Sequence, residues 1–291
     1  MKVRMVAQTN IGRVREKNED AFALCPDLNY PNWNQSVAET DLGPKGTLLV
    51  VVDGMGGACS GEVASWLALE SIRDTFNPSD LNLILNSWEK VGPFLQYAVT
   101  KADRCINDYM YAHPETIGMG TTIVICWIIG DRAYVAWCGD SRCYVFNPNT
   151  GLKALTKDHS YVQELIDQGT LTEEEAMRHP DSSLITRGLG DFGTPAQADV
   201  TVHFIQPNDM FLLCSDGLCG YCTNRWIEDV VRYYYNNIDV CCNKLVELAL
   251  NTGGYDNICI ALALVGDETN PQLHSSRIGQ FFTSLFSSRQ V

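Results

Sequence analysis

Short apolar runs dominate the chain, and turns rich in glycine, asparagine and aspartate separate them. The clearest run, residues 48–52, is apolar throughout, which predicts a strand buried on both faces. Similar runs predict further strands at 3–7, 21–24, 121–129, 133–138, 143–146, 152–155, 199–205, 210–214 and 258–264. Because only short turns separate the runs between residues 121 and 155, we expect those strands to form an antiparallel meander.

Longer stretches repeat their apolar residues at helical spacing. They predict helices over residues 60–76, around 95–109, and at 225–235 and 241–250. The dipeptide Asn77-Pro78 is expected to end the first of these helices.

Residues 156–183 interrupt the succession of strands with two short helices, predicted at 161–168 and 172–177. Thr172 and Glu175 have the spacing of a capping box at the start of the second helix. A helical insertion of this kind predicts a flap beside the sheets.

Two other segments set the boundaries of the fold. Residues 25–46 contain several prolines and predict a long hairpin loop. Beyond Gly266 the chain becomes polar and serine-rich, so we expect one α+β domain over residues 1–266 and a flexible tail over 267–291. The tail contains four apolar residues that could form a short amphipathic helix: Phe281, Phe282, Leu285 and Phe286.

Composition excludes several classes of protein. The net charge of −14 argues against nucleic acid or an anionic membrane as a partner. The chain has no signal-peptide pattern and no apolar run of membrane-spanning length, so we expect a cytoplasmic monomer. Its 12 cysteines show no metal-binding spacing beyond Cys219-x-x-Cys222. We therefore expect reduced, buried thiols and not a disulfide framework.

Five predicted strand ends carry an acidic residue, usually next to glycine or asparagine. They are Glu19-Asp20, Asp53-Gly54, Gly139-Asp140, Asp216-Gly217 and Asp256-Asn257. Each alone is a common turn sequence. However, Asp53, Asp140 and Asp216 follow strongly apolar strands, and if those strands lie in adjacent sheets their ends converge on one rim.

Carboxylates gathered at such a rim repel one another unless divalent cations are bound. Oxygen ligands of this kind suit Mg²⁺ or Mn²⁺, whereas zinc prefers histidine and cysteine. Two such ions about 3.5–4 Å apart could activate a water for in-line attack on phosphorus. Arg15, five residues before Asp20, could hold two phosphate oxygens with its planar guanidinium, or simply form a surface ion pair with a nearby acid.

Taken together, these motifs resemble the metal-dependent protein serine/threonine phosphatases (the PPM or type-2C family), in particular the bacterial branch. The resemblance covers about residues 5–265 and is carried by Arg15-x-x-x-Glu19-Asp20, Val52-Asp53-Gly54-Met55-Gly56-Gly57, Gly118-x-Gly120-Thr121-Thr122, Gly139-Asp140-Ser141-Arg142, Ser215-Asp216-Gly217-Leu218 and Asp256-Asn257. It implies a central β-sandwich of two antiparallel sheets flanked by helices.

The resemblance also implies two metal sites that share one ligand. Asp53 would bridge both ions. Asp216 and Asp256 would complete the shell of one, while Asp20 and the backbone carbonyl of Gly54 would serve the other.

Further roles follow from the same resemblance. Arg15 would bind the substrate phosphate, Glu19 would support the ligands, and Asn257 would help to orient water near the first metal. Asp140, together with Asp216, could hold a third ion. Residues 156–183 would form the family's flap, which touches the substrate.

The proton donor stays unassigned at this point. Some members of the family have a histidine two residues after the bridging aspartate, where this chain has Met55. His159 or a water at the metals is a candidate instead.

The function implied by the resemblance is hydrolysis of phosphoserine and phosphothreonine in phosphoproteins by direct attack of water, opposing a Ser/Thr kinase. An inactive binding or regulatory module of the same fold is the alternative. Such pseudoenzymes usually lose a metal-binding aspartate or the phosphate-binding arginine, and this chain retains them all. A calcineurin-type metallophosphatase is disfavoured because its histidine-rich motifs are missing.

Overall fold

The computed structural model describes residues 1–33, 37–56 and 60–266. The strands are β1 Lys2–Asn10, β2 Asp20–Cys25, β3 Val37–Asp41, β4 Thr47–Met55, β5 Gly120–Thr121, β6 Ile123–Ile129, β7 Arg132–Cys138, β8 Arg142–Asn147, β9 Gly151–Ala154, β10 Leu189–Gly190, β11 Asp199–Phe204, β12 Met210–Cys214 and β13 Ile258–Gly266. The helices are α1 Gly61–Thr75, α2 Pro78–Ile84, α3 Val91–Ala112, α4 Tyr161–Asp167, α5 Glu173–Ala176, α6 Asp216–Cys219, α7 Asn224–Tyr234 and α8 Ile238–Asn251, with 3-10 turns at Trp88–Lys90 and Pro114–Thr116.

The strands form two antiparallel sheets that pack face to face. One sheet has the order β3-β1-β13-β12-β8-β9, and the other has the order β10-β5-β4-β6-β7-β11 with β2 paired to β4. Helices α1 and α3 cover the outer face of the second sheet, and α7 and α8 cover that of the first. The predicted α+β class and helix-flanked β-sandwich are therefore confirmed.

Strand β4 shows why the apolar run at its centre is continuous. Val50 and Val52 point into the core between the sheet and helices α1 and α3. Leu49 and Val51 point into the core between the two sheets. Because both faces are covered, every position from 48 to 52 is buried. Asp53 and Gly54 follow this buried run near the end of the strand.

The predicted meander between residues 121 and 155 is wrong. β6 and β7 pair in one sheet, whereas β8 and β9 pair in the other, and β7 takes β11 as its second neighbour. The chain changes sheets at Gly139, whose φ of +120° suits glycine and whose position leaves only 2.5 Å between an added Cβ and Thr122 Cβ. This crossing places Asp140 between the two sheets' ends.

One shorter prediction needs correction, and another is confirmed with an addition. Within 25–46, predicted to be loop, Val37–Asp41 pairs with β1 as an edge strand. Asn77-Pro78 does follow the end of α1, but it also starts α2, because the Asn77 side chain accepts from Ser79 N and proline is favourable at the first helical position.

Most other predicted strands and helices are found within a few residues of their expected bounds. The capping box is present, with Thr172 and Glu175 bonded reciprocally. The tail residues 267–291 and Gly57 lie outside the described residues, so the domain boundary at 266 and the amphipathic tail helix stay predictions. In the described ranges no helix is long and apolar enough to cross a membrane, and the described cysteines are all free thiols.

Candidate metal and phosphate site

The predicted acids meet at one rim of the sandwich. A pocket of about 410 Å³ opens there, and its lining includes Arg15 and the carboxylates of four predicted aspartates. These carboxylates are Asp53, Asp140, Asp216 and Asp256. The sixth predicted side chain, Asp20, lies almost fully buried on β2, directly opposite Asp53 of β4.

Asp53 occupies the centre of this cluster. Its carboxyl group lies beside the other acids, among which the charges of Asp20 and Asp216 act on it most strongly. Its backbone carbonyl accepts from Thr121 Oγ1 and from Thr122 N, each at 2.9 Å. These two hydrogen bonds fix the backbone of Asp53 beside the other carboxylates.

Burial and mutual repulsion oppose ionisation of the cluster. Burial, reinforced by neighbouring acids, raises the pKa of Asp20 to about 8 and that of Asp216 to about 6. The same causes raise the pKa of Asp53 and of Asp140 well above the usual value. The acids can all be ionised together only if positive charge is bound among them.

One oxygen of Asp20 points to where such charge is needed. Oδ2 accepts from Ser215 Oγ at 2.7 Å, but Oδ1 is buried with no hydrogen-bond partner in the described part of the chain. An unpaired buried acceptor is costly, and a cation satisfies it. The all-oxygen set fits Mg²⁺ or Mn²⁺.

Across residues 1–33, 37–56 and 60–266, no three His, Cys, Asp or Glu side chains are already gathered closely enough to hold an ion. Electrostatics, rather than preformed ligand geometry, favours cations at this rim.

Ser215 supports Asp20 in a way that the sequence did not reveal. Its hydroxyl donates to Asp20 Oδ2 and accepts from Cys259 N at 2.9 Å. The position directly before Asp216 in the Ser215-Asp216-Gly217 motif was the only available signal. The serine fixes one rotamer of Asp20 and leaves Oδ1 facing the cluster.

Arg15 stands at the mouth of the pocket. Its Nη2 lies 2.6 Å from Asp256 Oδ2, and its side chain is 53% exposed. This hydrogen bond is the largest cause of the raised pKa of Arg15. Arg15 therefore forms the ion pair that the sequence offered as one interpretation, with an acid of the cluster, while phosphate binding by Arg15 stays a prediction.

Comparison with known proteins agrees with this geometry. The family model for protein phosphatase 2C matches residues 5–258. The chain belongs to the protein phosphatase 2C family. The resemblance inferred from the motifs is therefore confirmed.

Several bacterial proteins are similar to this family member over most of its length. The serine/threonine phosphatase stp of Listeria welshimeri is 32% identical over 255 residues, covering 88% of this chain and 93% of its own. The protein phosphatase PhpP of Streptococcus pneumoniae is 32% identical over 260 residues, covering 89% and 96%.

Solved structures show the same fold. The Mycobacterium tuberculosis phosphatase PstP/Ppp superposes with a TM-score of 0.76 at 30% identity, covering 92% of this chain and all of its own. The catalytic domain of PstP in complex with two manganese ions gives a TM-score of 0.72 at 29% identity, covering 91% and 99%.

Asn257 has a different role from the one that the resemblance implied. Its two amide hydrogens go to the carbonyls of Ile11 and Lys17, at 2.9 and 2.8 Å, and its Oδ1 accepts from Glu19 N at 2.8 Å. With both N–H groups donated to backbone, Asn257 holds the loop that carries Arg15 instead of directing a water.

Glu19 contacts the backbone of Gly54, whose carbonyl is one of the expected metal ligands. Its own carbonyl accepts from Gly54 N at 3.2 Å and from Ser65 Oγ at 2.6 Å. Its carboxylate accepts from Gly61 N at the start of α1, although burial still raises its pKa. Gly54 must be glycine because an added Cβ would stand 2.3 Å from Gly61 O.

Among the described residues, no arginine forms an ion pair with Asp140. Arg142 donates twice to Asp158, at 2.7 Å each, and once to Tyr144 Oη at 3.1 Å. Its guanidinium therefore acts on Asp140 only at a distance, while Asp216 raises the pKa of Asp140 further. A hydrogen-bonded partner such as Arg142 could also offset a carboxylate in this place, but Arg142 is paired with Asp158, so a bound cation fits better.

His159 is not placed to donate a proton to a substrate, contrary to one candidate from the sequence. Its Nδ1 accepts from Gly139 N at 3.1 Å, and its Nε2 lies 3.2 Å from Asp199 Oδ2. The ring is buried against Trp137, and burial lowers its pKa. It holds Gly139 and the start of the predicted flap instead.

Backbone contacts join the two ends of the segment predicted as a flap. Tyr161 N donates to Leu184 O at 2.9 Å, and Ser160 pairs with Ile185. Ser183 and Ile185 line the acidic pocket. The base of this segment therefore borders the site, while its action as a flap stays a prediction.

Proposed function

We propose that this chain is a protein serine/threonine phosphatase that uses two Mn²⁺ or Mg²⁺ ions. The observation that carries this function is the buried cluster of aspartates around the unpaired Oδ1 of Asp20, with Arg15 at its mouth. A relative named serine/threonine phosphatase and another named protein phosphatase support the same conclusion. The inactive alternative has no such support, because every acid and the arginine are retained.

The proposed ligands divide between two ions. Asp53 would be shared by both ions, Asp216 and Asp256 would hold one, and Asp20 with the Gly54 carbonyl would hold the other. Asp140 is the proposed contribution to a third site. Bound ions would supply Lewis acidity and offset the charge that develops on the phosphoryl oxygens.

The chain's own residues bind and orient the substrate. In this proposal Arg15 turns part of its guanidinium from Asp256 to the phosphate, which it can hold through two parallel hydrogen bonds. Asn257 keeps the Arg15 loop fixed while this happens. We place the protein in the cytoplasm, acting as a monomer on phosphoproteins and opposing a Ser/Thr kinase.

Removal of metal should abolish hydrolysis of a phosphothreonine peptide by the purified chain. Chelation followed by dialysis should leave no turnover, and Mn²⁺ or Mg²⁺ should restore it. Because the ions bind only the folded cluster, Mn²⁺ at 100 times its Kd should also stabilise the protein by about 2.7 kcal/mol. Calorimetric melting with and without Mn²⁺ measures this, and full activity of metal-free protein would contradict the mechanism.

Shortening the predicted flap should change the discrimination between phosphopeptides more than the rate of phosphate hydrolysis itself. Residues 163–182 can be replaced by a short glycine linker, because the Tyr161–Leu184 hydrogen bond already closes the base. We expect lower kcat/KM for phosphopeptides and nearly unchanged hydrolysis of a small aryl phosphate, which needs no protein-sized surface. Equal losses on both substrates would mean that the segment supports the core.

A further inference from the structure

Asp103 is a buried carboxylate on α3 that lies outside the acidic rim. It is 3% exposed, and it accepts from Gly190 N at 2.8 Å, from Ala196 N at 3.1 Å and from Asn107 Nδ2 at 3.0 Å. A buried charge needs such donors, yet an apolar side chain would pack this helix against the sheet equally well. The carboxylate therefore has a purpose besides packing.

Its two oxygens hold the two ends of one exposed loop. Oδ1 takes the N–H of Gly190 and Oδ2 takes that of Ala196, while residues 191–195 between them are largely exposed. Thr100, one turn earlier on α3, also donates to Ala196 O at 3.4 Å. The loop is thus fastened to the helix at its base.

The first of these ends belongs to a short ladder that leads to the metal site. Gly190 of β10 pairs with Gly120 of β5, and Gly120 pairs with Met55 at the end of β4. In the same register, Thr121 pairs with Gly54. β5 and β10 are only two residues long, so they need anchoring from outside the ladder.

The ladder ends on the backbone of Asp53. Thr121 Oγ1 and Thr122 N both donate to the Asp53 carbonyl at 2.9 Å. A displacement of β10 would pass through β5 to this carbonyl and to Gly54, because each step is a direct hydrogen bond or strand pairing.

We propose that Asp103 is a positioning residue for the metal site. By fixing both ends of the 190–196 loop, it holds β10 and β5 where they present Asp53 and Gly54 correctly to the ions. This role rests on the proposed function, since it assigns metal binding to that strand end.

The test replaces Asp103 with asparagine in the full chain. Asparagine offers one acceptor oxygen and turns an NH₂ group toward the other N–H, so one end of the loop is released. We expect the affinity for Mn²⁺, measured calorimetrically, to fall about 10- to 100-fold, as for other residues that orient metal ligands. In metal-free protein, amide exchange should quicken at Thr121 and Thr122 as well as in the loop.

Two further variants complete the design. Asp108→Asn removes an exposed carboxylate from the same helix and should leave both measurements unchanged. Asn107→Ala removes one donor to Asp103 Oδ1 and should weaken Mn²⁺ binding by a smaller factor. It carries the test if Asp103→Asn fails to fold, and an unchanged isotherm in Asn107→Ala would then overturn the role.

The outcomes separate this role from general stability. A variant that melts earlier but, while folded, binds Mn²⁺ with wild-type affinity would overturn the proposal. So would exchange that quickens in the loop alone. Lack of Mn²⁺ binding by the wild type would refute the metal site itself, whereas identical wild-type and variant isotherms would refute only the role of Asp103.

Discussion

Replacing Asp53 with asparagine should abolish metal-dependent turnover while making the metal-free protein more stable. Asp53 lies opposite Asp20 in the sheet and is the proposed ligand shared by both ions, so losing its charge should weaken both at once. Loss of several kcal/mol of transition-state stabilisation corresponds to about a 10³-fold or greater fall in kcat. Without metal, the substitution removes one member of a buried set of repelling acids, so the melting temperature should rise.

Two opposite changes in one variant distinguish loss of metal from loss of fold. Calorimetric melting should show a higher Tm for metal-free Asp53→Asn and almost no further increase on adding Mn²⁺. Asp131→Asn is the matched control, because Asp131 is 70% exposed and pairs only with Arg132 among the ion pairs of the described residues. Wild-type turnover by Asp53→Asn would show that this residue is not a ligand.

The sequence could predict the acidic cluster because its signals are local. A continuous apolar run followed by Asp53 and Gly54 requires a strand covered on both faces and a charge at its end. The same pattern at Asp216 places a second charge on the other sheet. The inference that these ends converge needed only the assumption that the strands lie in adjacent sheets.

The supporting contacts could not be predicted, because they depend on which distant segments meet. Asp103 lies between Lys101 and Arg104 and, from the sequence, resembles a solvated helix face. Its two backbone donors, Gly190 and Ala196, come 87 and 93 positions later. The role expected for Asn257 likewise came from its motif alone. The sequence could not show that its amide group donates to the carbonyls of Ile11 and Lys17.

The change of sheet at Gly139 was not predicted, for a related reason. Short turns between apolar runs are typical of a meander, and nothing local tells a hairpin from a crossing between packed sheets. The choice is made by β11, which pairs with β7 from sixty residues further along the chain.

Replacing Arg15 with alanine should weaken phosphate binding and leave Mn²⁺ binding equal or tighter. Hydrogen bonds to a charged group contribute about 1.5–3 kcal/mol, which corresponds to about a 10- to 150-fold loss of kcat/KM for a phosphothreonine peptide, mostly in KM. The loss should lie toward the lower end, because the side chain is 53% exposed and water can replace it. Inorganic phosphate should inhibit the variant correspondingly less.

We expect Arg15→Ala to bind Mn²⁺ equally well or more tightly because of the ion pair at the mouth of the pocket. Arg15 occupies Asp256 Oδ2 at 2.6 Å, so it competes with a cation for that oxygen. Arg13→Ala is the matched control: Arg13 is exposed on the same loop, and its backbone N–H still donates to Gly254 O at 2.7 Å. If Arg15→Ala kept the wild-type KM and phosphate inhibition, the Arg15–Asp256 contact would be a surface ion pair and the phosphate would be held by other groups.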